Sequence, residues 1–123
     1  MAENKRCIGR RGEALAARWY REQGYEILGT SVRVGRNELD LICRTAQEAV
    51  FVEVKSVSDD EFGDPVYKVD RQKRRAVVMA TRLWLLGHPQ GQRGVRFDIV
   101  TVDGSTVPPT VTHLPAAFTA DDI

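Results

Sequence analysis

The sequence lacks the features that mark several large classes of protein. No run approaches the ~18 consecutive apolar residues that a membrane helix needs, and no apolar stretch of the signal-peptide kind follows the first methionine. The two cysteines, Cys7 and Cys43, lie too far apart for a Cys-x-x-Cys metal site and form no disulfide framework. We therefore expect reduced thiols and a cytoplasmic protein without membrane contact.

Other kinds of site are missing as well. The two histidines, His88 and His113, have no partner at metal-ligand spacing, which argues against a structural zinc site. Neither Gly-x-x-x-x-Gly-Lys-Ser/Thr nor Gly-x-Gly-x-x-Gly occurs, so no loop of this kind cradles a nucleotide. We expect no small-molecule organic cofactor.

What is present indicates an ordinary folded protein. The 123 residues are 42% apolar and 28% charged, which predicts one domain over residues 1–123 with an ordered core at about 8–118. The net charge is only +1, but residues 1–36 carry eight Lys/Arg against four acids and residues 65–87 carry six against one. This asymmetry favours a polyanionic partner such as DNA, although two solvated helix faces explain it as well.

Hydrophobic periodicity predicts a mixed sheet flanked by two helices, an α/β (α+β) fold. Helices are predicted at 8–24 and from Pro65 to Leu86, and strands at 25–34, 38–44, 48–56, 94–102 and 110–114, giving the order αβββαββ. The chain after Phe118 is predicted to be frayed. In the second strand, Leu39, Leu41 and Cys43 are expected on one face, with Glu38, Asp40 and Ile42 on the other.

Three places break the rule that polar groups avoid apolar faces. Glu13 falls within the apolar arc of the first helix, and Asp40 lies in the middle of a strand, where aspartate is depleted. Glu53 and Lys55 share one face of a β-branched strand. Because adjacent strands lie about 4.8 Å apart, Asp40 and Glu53 are expected to share a hard cation, Mg²⁺ or Mn²⁺, with Glu13 nearby. Lys55 then orients a water molecule or stabilises charge on a phosphate.

Each residue also has an ordinary structural explanation. Glu13 reaches water or supports the helix start, and Asp40 protects an edge strand from aggregation. Glu53 and Lys55 form a solvated ion pair.

Basic residues on the helices are candidates for contact with nucleic acid. Lys73 lies in the apolar stripe of the second helix, where it either snorkels to water or reaches the phosphate-binding region. The remaining candidates for contacts to a nucleic-acid backbone are Arg10, Arg11, Arg36, Arg71, Arg74, Arg75 and Arg82.

Seven motifs together resemble a known family. They are Gly9-Arg-Arg-Gly-Glu-Ala-Leu-Ala-Ala, Gly24-Tyr-Glu-Ile-Leu, Asn37-Glu-Leu-Asp-Leu-Ile, Val50-Phe-Val-Glu-Val-Lys, Phe62-Gly-Asp-Pro, Lys73-Arg-Arg and Arg96-Phe-Asp-Ile-Val. In this order they resemble the bacterial YraN-like family of predicted endonucleases. That family is similar to archaeal Holliday junction resolvases within the PD-(D/E)XK nuclease superfamily.

The resemblance implies a restriction-endonuclease-like core and assigns roles to the same residues. Asp40, Glu53 and Lys55 match the superfamily's D…(E)xK triad, and Glu13 matches an N-terminal helix glutamate of resolvase-like members. Asn37 departs from the family's more usual glycine, but it lies in a turn that asparagine tolerates.

The sequence therefore predicts a metal-dependent endonuclease acting on DNA, with branched DNA as one substrate. A nucleic-acid-binding protein with a vestigial site and a scaffold in a larger assembly remain as alternatives. A homodimer is one expected arrangement.

Overall fold

The structure, a computed structural model, describes residues 5–57 and 69–122. Its elements are α1 (Lys5–Glu22), β1 (Glu26–Val34), β2 (Asn37–Arg44), β3 (Glu48–Val57), α2 (Arg71–Gly87), β4 (Gly94–Asp103) and β5 (Thr110–Phe118). The predicted order αβββαββ and the mixed α+β fold are confirmed. No helix in the described part of the chain is long and apolar enough to cross a membrane.

The five strands form one sheet in the order β1-β2-β3-β4-β5. Neighbouring strands are antiparallel except β3 and β4, which are parallel. A parallel pair needs a long crossover connection, and α2 lies in the segment that links β3 to β4.

The two helices pack against opposite faces of the sheet. The α1-side cluster consists of Ala16, Ala17, Tyr20, Leu41, Cys43, Val50, Val52, Val100 and Val102. The α2-side cluster consists of Leu39, Ile42, Ala49, Phe51, Val69, Val77, Val78, Ala80, Trp84, Phe97, Ile99 and Phe118. Strands β3 and β4 contribute to both clusters because alternate residues of a strand point to opposite faces.

Local signals explain where the helices end and begin. Gly24 adopts φ +93° just after α1, and the amide of Tyr25 donates to the carbonyl of Tyr20 (3.0 Å), which closes the C-terminal turn. Asp70 is the N-cap of α2, and its side chain accepts from the amide of Lys73 (2.8 Å).

This cap corrects the predicted start of the second helix. Helix α2 begins at Arg71. Val69 is therefore not in the helical stripe, although it is buried in the α2-side cluster. The predicted helix start at Pro65 lies outside the described residues.

The predicted alternation of β2 is wrong at Leu39. Leu39 packs in the α2-side cluster with Ile42, whereas Leu41 packs in the α1-side cluster. The alternation changes beside Ser31 of β1, which has φ +48° and lies between residues paired with Leu41 and Leu39. Ser31 therefore stands opposite Asp40, at the point where the hairpin changes face.

The C-terminal part of the chain is more regular than predicted. Strand β5 continues to Phe118, four residues beyond the predicted end at Leu114. Phe118 is buried and stacks on Phe97, and a 3₁₀ turn follows at Ala120–Asp122. The prediction that the chain frays after Phe118 is wrong for its described part, because Ala120 of this turn packs against the α2-side cluster.

Candidate active site

The site lies where β2 and β3 separate. Their antiparallel pairing ends at Leu41 and Val52. Beyond that pair, Oδ2 of Asp40 accepts a hydrogen bond from the amide of Val54 at 2.9 Å. The Asp40 side chain thus takes the place of a backbone carbonyl, and the gap between the strands opens at its carboxylate.

Helix α1 brings a second carboxylate to this gap. Glu13 is half-buried in the middle of α1 and has one carboxylate oxygen within 4.8 Å of ligand atoms of both Asp40 and Glu38. The hydroxyl of Ser31 donates a hydrogen bond to Glu13. Three carboxylates from α1 and β2 are therefore close together. The one on Glu13 is oriented by Ser31, the residue of β1 with a left-handed backbone conformation.

Strand β3 supplies the most deeply buried acid of the site. The solvent-accessible surface of Glu53 is only 7% of that of a fully exposed glutamate. Its Oε1 lies 3.6 Å from Nζ of Lys73, and its Oε2 has no hydrogen-bond partner among the described residues. A buried carboxylate oxygen without a partner costs free energy. Such an atom needs a proton or a cation.

The electrostatics of the site follow from this crowding. Burial, together with the charge of Asp40, raises the pKa of Glu53 to about 9, and Lys73 only partly opposes the rise. Burial also raises the pKa of Glu13 to about 7, with further contributions from Asp40 and Glu38 that the hydrogen bond from Ser31 partly offsets. Without a cation, both glutamates therefore retain protons at pH values where free glutamate has lost them.

These shifts predict that stability without metal falls as pH rises. The unfolded chain releases the Glu13 and Glu53 protons near pH 4.5, whereas the folded chain keeps them until about pH 7 and 9. Between these values each retained proton costs about 1.4 kcal/mol per pH unit. The Glu53→Gln variant should lose the Glu53 part of this slope, so that its stability relative to the parent rises by up to about 1.4 kcal/mol for each pH unit between pH 4.5 and about 9.

Urea denaturation at pH 5, 7 and 9 in EDTA measures this effect. Glu22→Gln, which changes an exposed carboxylate of α1, is the control and should keep the parent slope. A Glu53→Gln protein with the parent's pH slope would contradict the burial-driven pKa of Glu53.

The donor set suits a hard divalent cation. The carboxylates whose oxygens lie within 4.8 Å of one another are those of Glu13, Glu38 and Asp40; Glu53 is not in that group and is linked to it through its electrostatic interaction with Asp40. Mg²⁺ or Mn²⁺ prefers such oxygen ligands to thiol or imidazole. Glu53, whose Oε2 has no hydrogen-bond partner in the described parts of the chain, would have to release its proton to bind the ion. The residues present therefore fit such an ion.

The structure argues against the ordinary structural explanations that the sequence left open for these acidic residues. Asp40 lies on an inner strand, so it does not protect a sheet edge. Glu13 lies in mid-helix, away from the helix start. Glu53 is buried beside Lys73 while Lys55 is exposed, so these two β3 residues are not a solvated ion pair. Lys73 points toward the sheet as predicted, with 47% of its side chain exposed.

The predicted nucleic-acid contacts lie on two surfaces. Within α2, Arg71, Arg75 and Arg82 are exposed, and half-buried Arg74 donates to the carbonyl of its N-cap residue, Asp70 (3.4 Å). The other candidates, Arg10 and Arg11 of α1 and Arg36 of the β1–β2 turn, are exposed too.

Sequence reasoning missed two residues of the site. Glu38 is two residues before Asp40, and the two-residue period of a strand places both on one face. The sequence could therefore have indicated Glu38 as a third carboxylate of the site. No sequence pattern indicated Ser31. Its contact with Glu13 depends on a positive φ in a strand whose sequence predicts regular β structure.

A second buried carboxylate lies away from this site and differs in character. Asp98 of β4 is fully buried, and its oxygens contact the Tyr20 hydroxyl (2.7 Å), Arg96 Nε (2.8 Å) and Nη2 (2.9 Å), His113 Nε2 (2.8 Å) and the Ala116 amide (2.9 Å). Burial alone would raise the pKa of Asp98, but these hydrogen bonds outweigh it and lower the pKa. Both oxygens of Asp98 are hydrogen-bonded by the protein, whereas Oε2 of Glu53 has no such partner in the part of the chain that the structure describes.

Comparison with known proteins identifies relatives along nearly the whole chain. The family described as "Uncharacterised protein family UPF0102" matches residues 12–102. A UPF0102 protein of Anaeromyxobacter dehalogenans is 43% identical over 97% of this chain and 89% of its own length. UPF0102 proteins of Nocardia farcinica (39% identical, 94% of this chain and 91% of the relative) and Geobacter metallireducens (31%, 96% and 97%) are similar as well.

Proposed function

Since the chain belongs to the uncharacterised protein family UPF0102, we propose from its site that it is a metal-dependent endonuclease that hydrolyses phosphodiester bonds of DNA. The observation that carries this proposal is Oε2 of Glu53, which is buried near Asp40 and has no hydrogen-bond partner within residues 5–57 and 69–122. Buried polar atoms without a partner are rare in native proteins, because a residue that is hydrogen-bonded or apolar at the same position makes the fold more stable. A cation at this position gives the atom a role.

The resemblance to PD-(D/E)XK nucleases supports the same assignment. Asp40, Glu53 and Lys55 match that superfamily's triad, and Glu13 matches its N-terminal helix glutamate. The residues matched in this way include Asp40 and the two glutamates that interact with it, from three different elements.

The protein's residues divide the chemistry among them. Asp40 and Glu53 would hold Mg²⁺ or Mn²⁺, with Glu13 supporting the ion or its water. The ion, when bound, lowers the pKa of a water molecule and stabilises negative charge on phosphate. Lys55, exposed two residues after Glu53, is assigned to the phosphate and the attacking water. Lys73 balances the charge of Glu53, to which it is already paired.

DNA is the proposed substrate because of the charge on α2. Residues 71–87 include Arg71, Lys73, Arg74, Arg75 and Arg82 and no acid. The first of these basic residues stand at the end of the helix where Lys73 meets Glu53, so a phosphate backbone that follows α2 leads to the site.

Cleavage of a panel of DNAs tests the proposal. Branched, flapped, single-stranded and linear DNAs are incubated with Mg²⁺ or Mn²⁺, and we expect cleavage that EDTA stops and that Glu53→Ala lacks. Binding of the same DNAs is measured in parallel. DNA binding without any metal-dependent cleavage would contradict the proposal and favour a nucleic-acid-binding protein with a vestigial site.

The arginines of α2 give a prediction of their own. Replacing Arg71, Arg75 and Arg82 with glutamine should weaken DNA binding uniformly across sequences, because phosphate contacts carry no sequence code. The slope of log K against log salt should fall by about 2–3, since each phosphate contact contributes about 0.9.

The control removes the same charge elsewhere. Replacing Arg18, Arg21 and Arg33, which are also exposed, with glutamine should change the slope of log K against log salt much less. An unchanged slope in the α2 variant would mean that DNA lies along Arg10, Arg11 and Arg36.

A further inference from the structure

Lys73 is the basic residue that the structure brings against a buried carboxylate of the candidate site. Its Nζ lies 3.6 Å from Oε1 of Glu53, yet 47% of the Lys73 side chain is exposed. The ammonium therefore reaches the site from α2 and remains accessible to a substrate. Lys55, the lysine of the matched triad, is exposed on β3. The site thus has two lysines, and Lys73 is the one paired with Glu53 within residues 5–57 and 69–122.

The first turn of α2 carries an unusual concentration of positive charge. Arg71, Lys73 and Arg74 lie in this turn, and it contains no acid. The start of a helix is the positive end of its dipole, so acids stabilise it and bases destabilise it. The cap from Asp70 and the ion pair with Glu53 oppose this charge only in part. A further anion bound at this turn would offset the remaining repulsion.

The two oxygens of Glu53 have different surroundings. Oε1 faces Lys73, whereas Oε2 has no hydrogen-bond partner in the described parts of the chain. A divalent cation bound at Oε2 would take over the charge of Glu53 and weaken the attraction between this carboxylate and Lys73. The ammonium would then lie beside the ion without its former counter-charge, which favours the approach of another anion.

From this arrangement we propose that Lys73 is a catalytic residue whose ammonium contacts a non-bridging oxygen of the phosphate held by the cation. This inference rests on the proposed function. The non-bridging oxygens share one phosphorus, so a single phosphate can meet the cation with one oxygen and the ammonium with another. Lysine binds phosphate as a point charge and needs no fixed geometry to do so. Lys55 acts on the same phosphate from β3.

Hydrolysis places additional negative charge where Lys73 would bind. The water oxygen bonds to phosphorus, the bond from phosphorus to the leaving oxygen breaks, one proton of the water passes to solvent, and the leaving oxygen takes up a proton. Lys73 donates a hydrogen bond to an oxygen on which charge grows, and it keeps its own proton. Such fixed positive charge stabilises the transition state, and removal of one donor costs about a hundredfold in rate.

NMR of the lysine side chains tests the contact without any cleavage. The chain has four lysines, Lys5, Lys55, Lys68 and Lys73, so protein labelled with carbon-13 in lysine gives few signals, and Lys73→Met identifies that of Lys73. With saturating Mg²⁺, thymidine 5′-monophosphate should shift the Lys73 signal. In EDTA, where Lys73 stays paired with Glu53, the affinity for the nucleotide should be about tenfold lower. A Lys73 signal that does not respond to the nucleotide with Mg²⁺ present would overturn the proposal.

Variants separate a catalytic role from charge balance. At saturating Mg²⁺, Lys73→Met should bind the nucleotide about tenfold more weakly, as expected for one lost charge-assisted hydrogen bond, and cleave DNA about a hundredfold more slowly. Lys73→Arg, which keeps the positive charge, should recover part of both losses. Arg82→Gln is the control, because it removes a charge from α2 about two and a half turns further on and should keep the parent affinity for the nucleotide.

Failure of this inference differs from failure of the proposed function. If Lys73 serves only to balance the charge of Glu53, Lys73→Met requires more Mg²⁺ but then binds the nucleotide and cleaves DNA like the parent. That result would overturn the inference and leave the nuclease in place. A protein that cleaves no DNA, although its Lys73 signal responds to the nucleotide, would contradict the proposed function and with it the catalytic assignment of Lys73.

Discussion

Asp40→Asn and Glu53→Gln are expected to remove both Mn²⁺ affinity and DNA cleavage while the protein folds at least as well as the parent. Asparagine and glutamine keep the shape but lack the negative charge that a hard cation needs. Asparagine at residue 40 can still accept a hydrogen bond from the Val54 amide, so this link between β2 and β3 is kept. We expect cleavage to fall roughly a thousandfold or more, because several kcal/mol of transition-state stabilisation depend on the cation.

Calorimetric titration with Mn²⁺ separates ligands from other site residues. Since Glu53 holds a proton to about pH 9, parent protein should release protons on binding Mn²⁺ at pH 7, seen as a heat that depends on the buffer's ionisation enthalpy. Lys55→Met should keep Mn²⁺ affinity and lose cleavage, because the ammonium is assigned to phosphate and water. Glu22→Gln should behave as the parent. Variants at Asp40 or Glu53 that unfold with Mn²⁺ affinity unchanged would indicate a structural cluster and contradict the enzyme assignment.

Periodicity was sufficient for most of the fold because the residues of the central strand β3 alternate strictly between the two clusters. The β-branched residues of β3 and the apolar arc of α1 pack where their spacing predicts, which fixes the layers on either side of the sheet. The end of β5 was missed for a different reason. Phe118 gains its burial from stacking on Phe97, a contact between distant residues that no local pattern contains.

The candidate site was only partly predictable for the same physical reason. Asp40, Glu53 and Glu13 stood out because each is a polar residue in an apolar setting. Their meeting point depends on the separation of β2 from β3 and on Ser31 at φ +48°, where the hairpin changes face. Without that change Asp40 would follow the strict alternation of β2, which the sequence pattern assumed. The partner of Lys73 also depended on tertiary structure, since Glu53 lies twenty residues earlier.

Replacing Asp98 should destabilise the protein more than replacing any carboxylate of the candidate site. Asp98→Asn is expected to lower the free energy of unfolding by about 3 kcal/mol at pH 7, because it removes the charged, fully buried partner of Tyr20 and His113 and leaves the half-buried guanidinium of Arg96 with Glu48 as its remaining acidic partner. Denaturation in urea at pH 7 measures this loss, with Glu53→Gln as the contrasting buried acid. A loss below about 1 kcal/mol would show that Asp98 is neutral in the folded protein.

The pH dependence of Asp98 has the opposite sign from that of Glu53. The folded-state pKa of Asp98 is lowered, so its contribution is present above the ordinary aspartate value of 3.8 and is lost as pH falls through the folded value. The free energy of unfolding of the parent should therefore fall at acid pH, whereas that of Asp98→Asn, which lacks this contribution at every pH, should fall less.

Replacing Asp98 should also affect the candidate site. Tyr20, whose hydroxyl donates a hydrogen bond to Asp98, lies seven residues after Glu13, which is about 10.5 Å along the axis of α1 and on the same helix face. Loss of this anchor should displace Glu13 and weaken Mn²⁺ binding, whereas the change at Asp98 leaves the ligands Asp40 and Glu53 themselves intact.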